Sequence, residues 1–167
     1  VWRVTSTGQV SSQVRGYAAN SFPVGGIAGS DGTLYVAVSQ IGVDNTERAS
    51  LWRISPSGDE SIVALTPLDG TEITDRSYAR SVVLGTDGTV YLLADTTGVE
   101  PDGRLNQSAG VLVVTADGSV YRSFLPVPSG ASSIATAGNY AVFTWFDWNN
   151  AWVAVLDAEG HRVDHPV

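Results

Sequence analysis

The chain repeats itself, and this repeat constrains its fold more than any other feature of the sequence. One kind of hairpin consists of an apolar strand, a turn that ends in glycine and a second strand; its turn glycines are Gly8, Gly58, Gly118 and Gly160. A second kind lies between them, with turns at Asp31-Gly32, Asp87-Gly88 and Gly138-Asn139. These turn residues tolerate positive φ in two-residue hairpin loops. The sequence therefore predicts antiparallel hairpins along its whole length.

The two kinds of hairpin alternate, which predicts units of four antiparallel strands. We expect strands at 25–30, 33–40, 49–55 and 59–66, at 80–86, 89–96, 109–116 and 118–126, and at 132–137, 140–148, 151–157 and 160–166. Resembling four-stranded units of roughly 40 to 60 residues with short connections indicate an all-β fold, a β-propeller of four-stranded blades. The chain then forms one partial propeller domain, with a half blade at 1–18 and blades at 19–67, 68–127 and 128–167.

About three and a half blades do not close a ring, since propellers have at least about four. Three completions remain open. The chain is a fragment of a longer propeller, or two copies combine into one ring, or another protein supplies the missing blades. Each would protect the strand edges that an open ring exposes.

The motifs GSDGTLYVA, GTDGTVYLLA, VTADGSVYRS and VLDAEGHRV resemble NHL-type and gluconolactonase-like propeller repeats over nearly the whole chain. They are most similar to tandem propeller repeats of secreted or envelope-attached actinobacterial proteins, which implies an extracytoplasmic location. Gluconolactonase-like enzymes hold a divalent metal with acidic and Asn ligands at the central channel. The strands IAGS, SVVLG and SIATA, which would line such a channel here, contain no carboxylate. The resemblance implies a fold, and fold alone does not give an activity.

Composition excludes several classes of function. The formal charge is −8 and all nine basic residues are Arg, whereas nucleic-acid sites need a basic stripe. No stretch approaches the roughly 20 apolar residues that span a bilayer. The chain has no Cys, so no thiolate metal site can form. Hydrolase elbows, phosphate loops and dinucleotide fingerprints are missing. The sequence thus predicts no catalytic residue and no required cofactor.

The acidic residues that precede turn glycines are interpreted as turn formers and not as catalytic groups. They are Asp31, Asp87, Asp117 and Glu159.

The longer connections, which gather on one face of a propeller, offer the candidate binding residues. Segment 68–80 contains Asp75, Arg76, Tyr78 and Arg80. Its acidic residues, together with Asp69 and Glu72, could supply oxygen ligands for Ca²⁺, although no EF-hand pattern is present. The alternative is a solvated loop in which an acidic residue pairs with an Arg.

Two further connections carry candidates. Segment 98–109 is longer than usual for a hairpin loop, and Arg104 and Asn106 are its best contacts; a tolerated insertion is the alternative. Segment 144–152 is rich in aromatic residues, and Asp147 and Trp148 lie where it enters a loop. Trp148 could stack on a sugar or anchor a protein partner, or it packs between blades.

The sequence as a whole predicts a non-catalytic extracytoplasmic module that binds a protein partner or an envelope glycan through this loop face. One alternative is part of a metal-dependent lactonase or sugar-oxidising propeller enzyme whose ligands lie in other blades. Another is a spacer whose loops bind nothing specific.

Overall fold

The computed structural model of the protein describes residues 2–4, 10–12, 20–42, 45–65, 76–99, 105–126, 131–146 and 151–163. These residues form strands and turns throughout, which confirms the all-β class. The described ranges contain no helix long and apolar enough to cross a membrane.

The strands pair in chain order into four antiparallel sheets. A two-stranded sheet joins β1 (Trp2–Val4) and β2 (Val10–Ser12). Sheet I contains β3 (Ser21–Ala28), β4 (Leu34–Ile41), β5 (Glu47–Ile54) and β6 (Glu60–Ala64). Sheet II contains β7 (Arg76–Leu84), β8 (Val90–Val99), β9 (Leu105–Val114) and β10 (Val120–Pro126). Sheet III contains β11 (Ala131–Ala137), β12 (Tyr140–Phe146) and β13 (Ala151–Leu156). Contacts among the described residues run from sheet I to sheet II and from sheet II to sheet III, and they show no closed ring.

Several elements differ from the sequence-based expectation, and β3 and β7 each begin four residues earlier than predicted, at Ser21 and Arg76. The predicted loop at 98–109 is largely strand, because β8 and β9 stay paired as far as Val99 opposite Leu105. Inside this extension the buried Thr96 hydroxyl lies 2.6 Å from the Ser108 hydroxyl, and this cross-strand contact favours continued pairing. Of the predicted last strand at 160–166 the structure describes residues 160–163, where Arg162 forms an isolated bridge with Leu156.

The hairpin turns explain the glycines and acidic residues of the repeat. At the first such turn, Gly32 has φ +83° and its N–H donates to the Gly29 carbonyl, which is a three-residue loop closed by a left-handed Gly and not the expected two-residue loop. The Asp31 carboxylate accepts bonds from the Thr33 N–H (2.9 Å) and hydroxyl (2.8 Å). The Thr33 N–H lowers the pKa of Asp31 below its ordinary value, and the Thr33 hydroxyl adds to this effect.

The same turn chemistry recurs in the later hairpins. Asp87 accepts from Thr89, and Asp117 accepts from Ser119. In the last hairpin Asp157 accepts from the N–H groups of Glu159 and His161, so Asp157 has the turn-forming role that the sequence assigned to Glu159.

Successive sheets pack face to face. We call the side of each sheet that looks toward the next sheet in the chain its forward face, and the other side its backward face. The forward face of sheet I buries Ala37, Ala49 and Leu51 against the backward face of sheet II, which presents Ala79, Val82, Leu92, Ala94 and Leu112. The forward face of sheet II buries Tyr91, Leu93, Val111 and Val113 against the backward face of sheet III, which presents Ile134, Ala141, Phe143, Ala154 and Leu156. Sheet II is therefore covered on both sides.

Two buried serines tie sheet I to sheet II. The Ala79 N–H donates to the Ser39 hydroxyl oxygen (2.9 Å), and the Ala49 N–H donates to the Ser77 hydroxyl oxygen (2.8 Å). Both serines are buried. The two N–H groups would otherwise lie between the sheets without an acceptor, which is costly.

Replacing either serine by alanine should destabilise the protein. We expect Ser77→Ala to lower the free energy of unfolding by about 1–3 kcal/mol, because the buried Ala49 N–H loses its acceptor. The exposed Ser61 is the matched control, and Ser61→Ala should change stability by less than about 0.5 kcal/mol. Urea unfolding of the three proteins measures the difference. Equal stability of Ser77→Ala and wild type would show that water replaces the hydroxyl.

Tyr91 connects sheet II to the turn of sheet III. Its ring is fully buried and its hydroxyl donates to the Asn139 carbonyl oxygen at 3.1 Å. Burial, with smaller contributions from the negative charges of Asp87 and Asp157, raises the pKa of Tyr91 to about 12. The ordinary value is about 10. The neutral phenol is therefore the form that the fold favours.

This shift predicts a loss of stability at alkaline pH. A raised folded-state pKa contributes stability that is present below about pH 10 and is lost as the pH rises toward about 12. Tyr91→Phe should remove this part of the decline, although it also loses one hydrogen bond. Urea midpoints measured across this pH range for wild type, Tyr91→Phe and the exposed control Tyr140→Phe test it. Parallel curves for wild type and Tyr91→Phe would contradict the assignment.

Candidate functional site

A bulge at the same place in each sheet makes the three first strands comparable residue by residue. The register shifts between Pro23 and Gly25 in β3, between Ala79 and Ser81 in β7, and between Ala131 and Ser133 in β11. A bulge at a fixed position is a designed feature of a sheet and re-aims the side chain at that point. The bulged residues are Val24, Arg80 and Ser132.

At this bulge sheet II has an ion pair, whereas the corresponding residues of sheet I, Val24 and Ser39, are uncharged. Arg80 pairs with the Asp95 carboxylate through Oδ2. Asp95 lies opposite Tyr78 and Ala109 in the ladder, as Ser39 lies opposite Phe22 and Ala49 in sheet I. Asp95 therefore occupies the position of the serine that binds the next sheet.

The Asp95 carboxylate is incompletely satisfied. Its side chain is 13% exposed, whereas that of Arg80 is 57% exposed. The second oxygen, Oδ1, is buried and has no hydrogen-bond partner in the described structure. A buried oxygen without a partner costs free energy, so this pair is not explained by the stability of the sheets.

Five residues at the start of the first strands are exposed or half-buried, and we call them the strand-start patch: Phe22 and Val24 in β3, and Arg76, Tyr78 and Arg80 in β7. The strands β3 and β7 contact each other. Phe22 is 55% exposed and Val24 is 47% exposed; Arg76 and Arg80 are exposed and Tyr78 is half-buried. All five residues lie at the same end of two neighbouring sheets, with Phe22 on the forward face of sheet I and Arg76 and Tyr78 on the forward face of sheet II.

The predicted site residues are only partly assembled by the structure. Arg76, Tyr78 and Arg80 lie together on β7 and not in a loop as expected. Asn106 lies in β9 opposite Gly98, and its side chain is outside the described part. The other candidates also lie outside the described residues, and so do the proposed calcium ligands: Asp69, Glu72, Asp75, Arg104, Asp147 and Trp148. In the ranges that are described, no group of three or more His, Asp or Glu side chains could hold a metal ion.

Three residues of this region were missed by sequence reasoning. Phe22 and Val24 precede the strand predicted at 25–30, and Asp95 lies inside the strand predicted at 89–96 without being singled out. The sequence does contain a signal for Asp95. When YVAVSQ of sheet I is aligned with YLLADT of sheet II, Asp95 falls at the position of Ser39. The bulges, which make this alignment meaningful, become known only from the register.

A groove elsewhere in the surface is less suited to binding than the strand-start patch. A groove of about 390 Å³ lies between β10 and the last turn, where it is lined by Tyr121, Arg122, Ser123, Glu159, His161 and Arg162, among others. The Arg122 guanidinium reaches sheet I and donates to the Ala64 carbonyl oxygen at 3.3 Å. His161 lies 3.5 Å from Asp157 and 3.4 Å from Glu159. These side chains already engage the protein itself.

Comparison with known proteins does not identify a family. No family model, no curated protein and no solved structure matches the chain. The resemblance to NHL-type and gluconolactonase-like repeats therefore remains a prediction from the motifs.

The ion pair can be tested against its counterpart in sheet I. We expect Arg80→Ala to lower the free energy of unfolding by about 1–3 kcal/mol, because Asp95 loses its only described partner. Asp95→Ser, which introduces the residue of sheet I, should leave stability unchanged or raise it. Ser39→Asp should destabilise, since Val24 and not an Arg stands at the bulge of sheet I.

Urea unfolding of the single variants and of the Arg80→Ala/Asp95→Ser double variant completes a double-mutant cycle, which measures the coupling between the two residues. The double variant should regain most of the stability lost by Arg80→Ala. If Asp95→Ser lowers the free energy of unfolding as much as Arg80→Ala does, the fold needs the ion pair. The view that the repeat does not require these charges would then be wrong.

Proposed function

We propose that sheets I to III are blades of a β-propeller and that the chain serves as a non-catalytic extracytoplasmic interaction module. The regular hairpin order, the face-to-face stacking and the repeated bulge all fit blades of one propeller. The extracytoplasmic location rests on the resemblance of the repeats alone.

The observation that carries the binding role is the departure of sheet II from the repeat. Arg80 and Asp95 of sheet II replace Val24 and Ser39 of sheet I although the strands pair in the same register. The fold is built without these charges in sheet I. Their presence in sheet II, with the Arg80 side chain 57% exposed, fits a surface that contacts something other than the chain itself.

The composition of the strand-start patch favours a protein partner. Aromatic residues and Arg are enriched at protein interfaces, and they supply most of the residues whose truncation costs binding energy. Exposed Arg76 and Arg80 suit carboxylates on the partner, while Phe22 and Val24 supply apolar area. We therefore favour a partner segment that combines acidic and apolar side chains over an envelope glycan.

Selection from a displayed library of random peptides tests this role. Wild-type protein should enrich peptides that combine Asp or Glu with aromatic residues, and calorimetry on synthetic copies should give saturable binding. Tyr78→Ala and Arg76→Ala should each weaken that binding about tenfold or more, as expected for residues at the centre of an interface. Arg53→Ala is the matched control, because Arg53 is also an exposed Arg and lies near the opposite end of sheet I.

The outcomes separate the alternatives. Enrichment of acidic peptides that bind equally well to Arg76→Ala and Arg53→Ala would show general attraction to Arg and would contradict the patch. Binding to purified cell-wall polysaccharide in place of peptides, with loss in Tyr78→Ala, would transfer the role to a glycan. An absence of both kinds of binding would overturn the proposal.

A further inference from the structure

Strand β10 is an edge strand of sheet II, and within the described ranges it pairs only with β9. In an antiparallel pair every second residue directs its N–H and C=O toward the partner strand, and the residues between direct theirs away. At the turn the Thr115 N–H donates to the Ser119 carbonyl oxygen, so Tyr121, two residues further on, is bonded to β9. Val120 and Arg122 therefore direct their N–H and C=O groups away from the sheet.

The corresponding edge of sheet I shows that an outward group of this kind can be bound. The Ser55 N–H donates to the Asp59 carbonyl oxygen, and counting from this turn in the same way directs the Ala64 C=O of β6 away from β5. The Arg122 guanidinium donates to that oxygen at 3.3 Å. The described ranges show no counterpart of this contact at the outward backbone groups of β10.

The open edge of β10 faces the groove of about 390 Å³ beside the last turn. Four consecutive residues of β10, from Val120 to Ser123, line one side of the groove. Since Tyr121 lies on the forward face and Arg122 on the backward face, a groove that touches both runs along the edge of the strand. Residues 159–162 line the other side, and a Cβ at Gly160 would meet sheet II at 3.3 Å. The side chains of the groove engage the protein itself, but the main chain of the edge does not.

The open part of this edge has a defined length. Pro126, the last residue of β10, stands at one of the outward positions and has no N–H to donate. A proline at an edge prevents another strand from pairing beyond it. An added strand is thus limited to the positions before Pro126, which suits a segment of about five or six residues.

We propose that the edge of β10 binds an extended segment of a partner protein, which adds to sheet II as a further strand. Main-chain hydrogen bonds supply the affinity in this mode of binding, and side chains beside the strand supply the specificity. The Arg122 side chain is half-buried, and its buried Nε has no hydrogen-bond partner in the described structure. A carboxylate opposite Arg122 would compensate its charge, so the partner segment carries an acidic residue among residues of high β-propensity. This site is separate from the strand-start patch.

Amide hydrogen exchange followed by NMR tests whether the edge is open in the free protein. The Tyr121 and Ser123 N–H groups, which bond to β9, should be protected. The Val120 and Arg122 N–H groups should exchange at least about tenfold faster, because they lack an acceptor. An Arg122 N–H as protected as that of Tyr121 would show that the chain covers its own edge and would overturn the proposal.

Selection from a displayed library of random peptides tests the occupant. The selection uses Arg76→Ala, in which the strand-start patch is weakened. Enriched peptides should carry Asp or Glu, and on binding they should slow the exchange of the Val120 and Arg122 N–H groups at least about tenfold. Arg122→Ala removes only the charge and should retain part of the binding. Arg122→Pro also removes the outward N–H and should bind at least about tenfold more weakly than Arg122→Ala.

Circular dichroism and a thermal melt confirm that each variant is folded, and Val120→Pro blocks the same edge if Arg122→Pro does not fold. Equal binding to Arg122→Ala and to the folded proline variant would contradict pairing with the edge. A selection that enriches no peptide would also overturn the proposal. Peptides that bind wild type and lose this binding in Arg76→Ala, but not in Arg122→Pro, would support the patch and speak against the edge. The two sites can therefore fail separately.

Discussion

The structure depends on burial between successive sheets. A four-stranded sheet with apolar side chains on both faces cannot shield either face by itself, and the hydrophobic effect rewards only the area that a neighbour covers. Strand β8 shows this most directly, because five consecutive residues from Val90 to Ala94 are fully buried although alternate side chains point to opposite faces. Sheet II is therefore stabilised by burial against sheet I on one side and against sheet III on the other.

Polar groups set how the sheets meet. The Ser39 and Ser77 hydroxyls accept backbone N–H groups across the junction of sheets I and II, so the sheets are held in one lateral position and not merely pressed together. At the junction of sheets II and III the corresponding polar contacts lie at the opposite end, where Thr136 donates to the Leu84 carbonyl oxygen and Tyr91 donates to the Asn139 carbonyl oxygen. The end that lacks the serine carries Asp95 and its ion pair. Asp95 therefore stands in sheet II where sheet I has Ser39, and the junction of sheets II and III relies on other hydrogen bonds.

Sequence reasoning predicted what local patterns determine. The left-handed glycines at 32, 58, 88, 118, 138 and 160 and the strand order of sheets I and II followed from turn residues and alternating hydrophobicity, which act over a few residues. The extension of β8 and β9 was not predicted, because the buried contact between Thr96 and Ser108 that favours it joins residues on opposite strands, 12 positions apart in the chain. Asp95 was missed for a similar reason: its position acquires meaning only when the bulges align one sheet with another. The ring that the repeat suggests is likewise a property of how many sheets assemble and not of any one of them.

The strand-start patch and the forward face of sheet III differ in how far the repeat explains their residues. The forward face of sheet III uses the positions that the repeat buries inside the stack, although Val153 is 60% exposed where Leu51 of sheet I is 1% exposed. The strand-start patch consists of residues that the repeat does not require, since the same backbone carries Val24 and Ser39 in one sheet and Arg80 and Asp95 in the next. Stacking of the sheets thus explains the residues of the forward face but not Arg80 and Asp95, which is why the proposed binding role is assigned to the patch. The patch lies at the starts of β3 and β7, whereas the exposed part of the forward face lies on β12 and β13, so the two surfaces belong to different sheets.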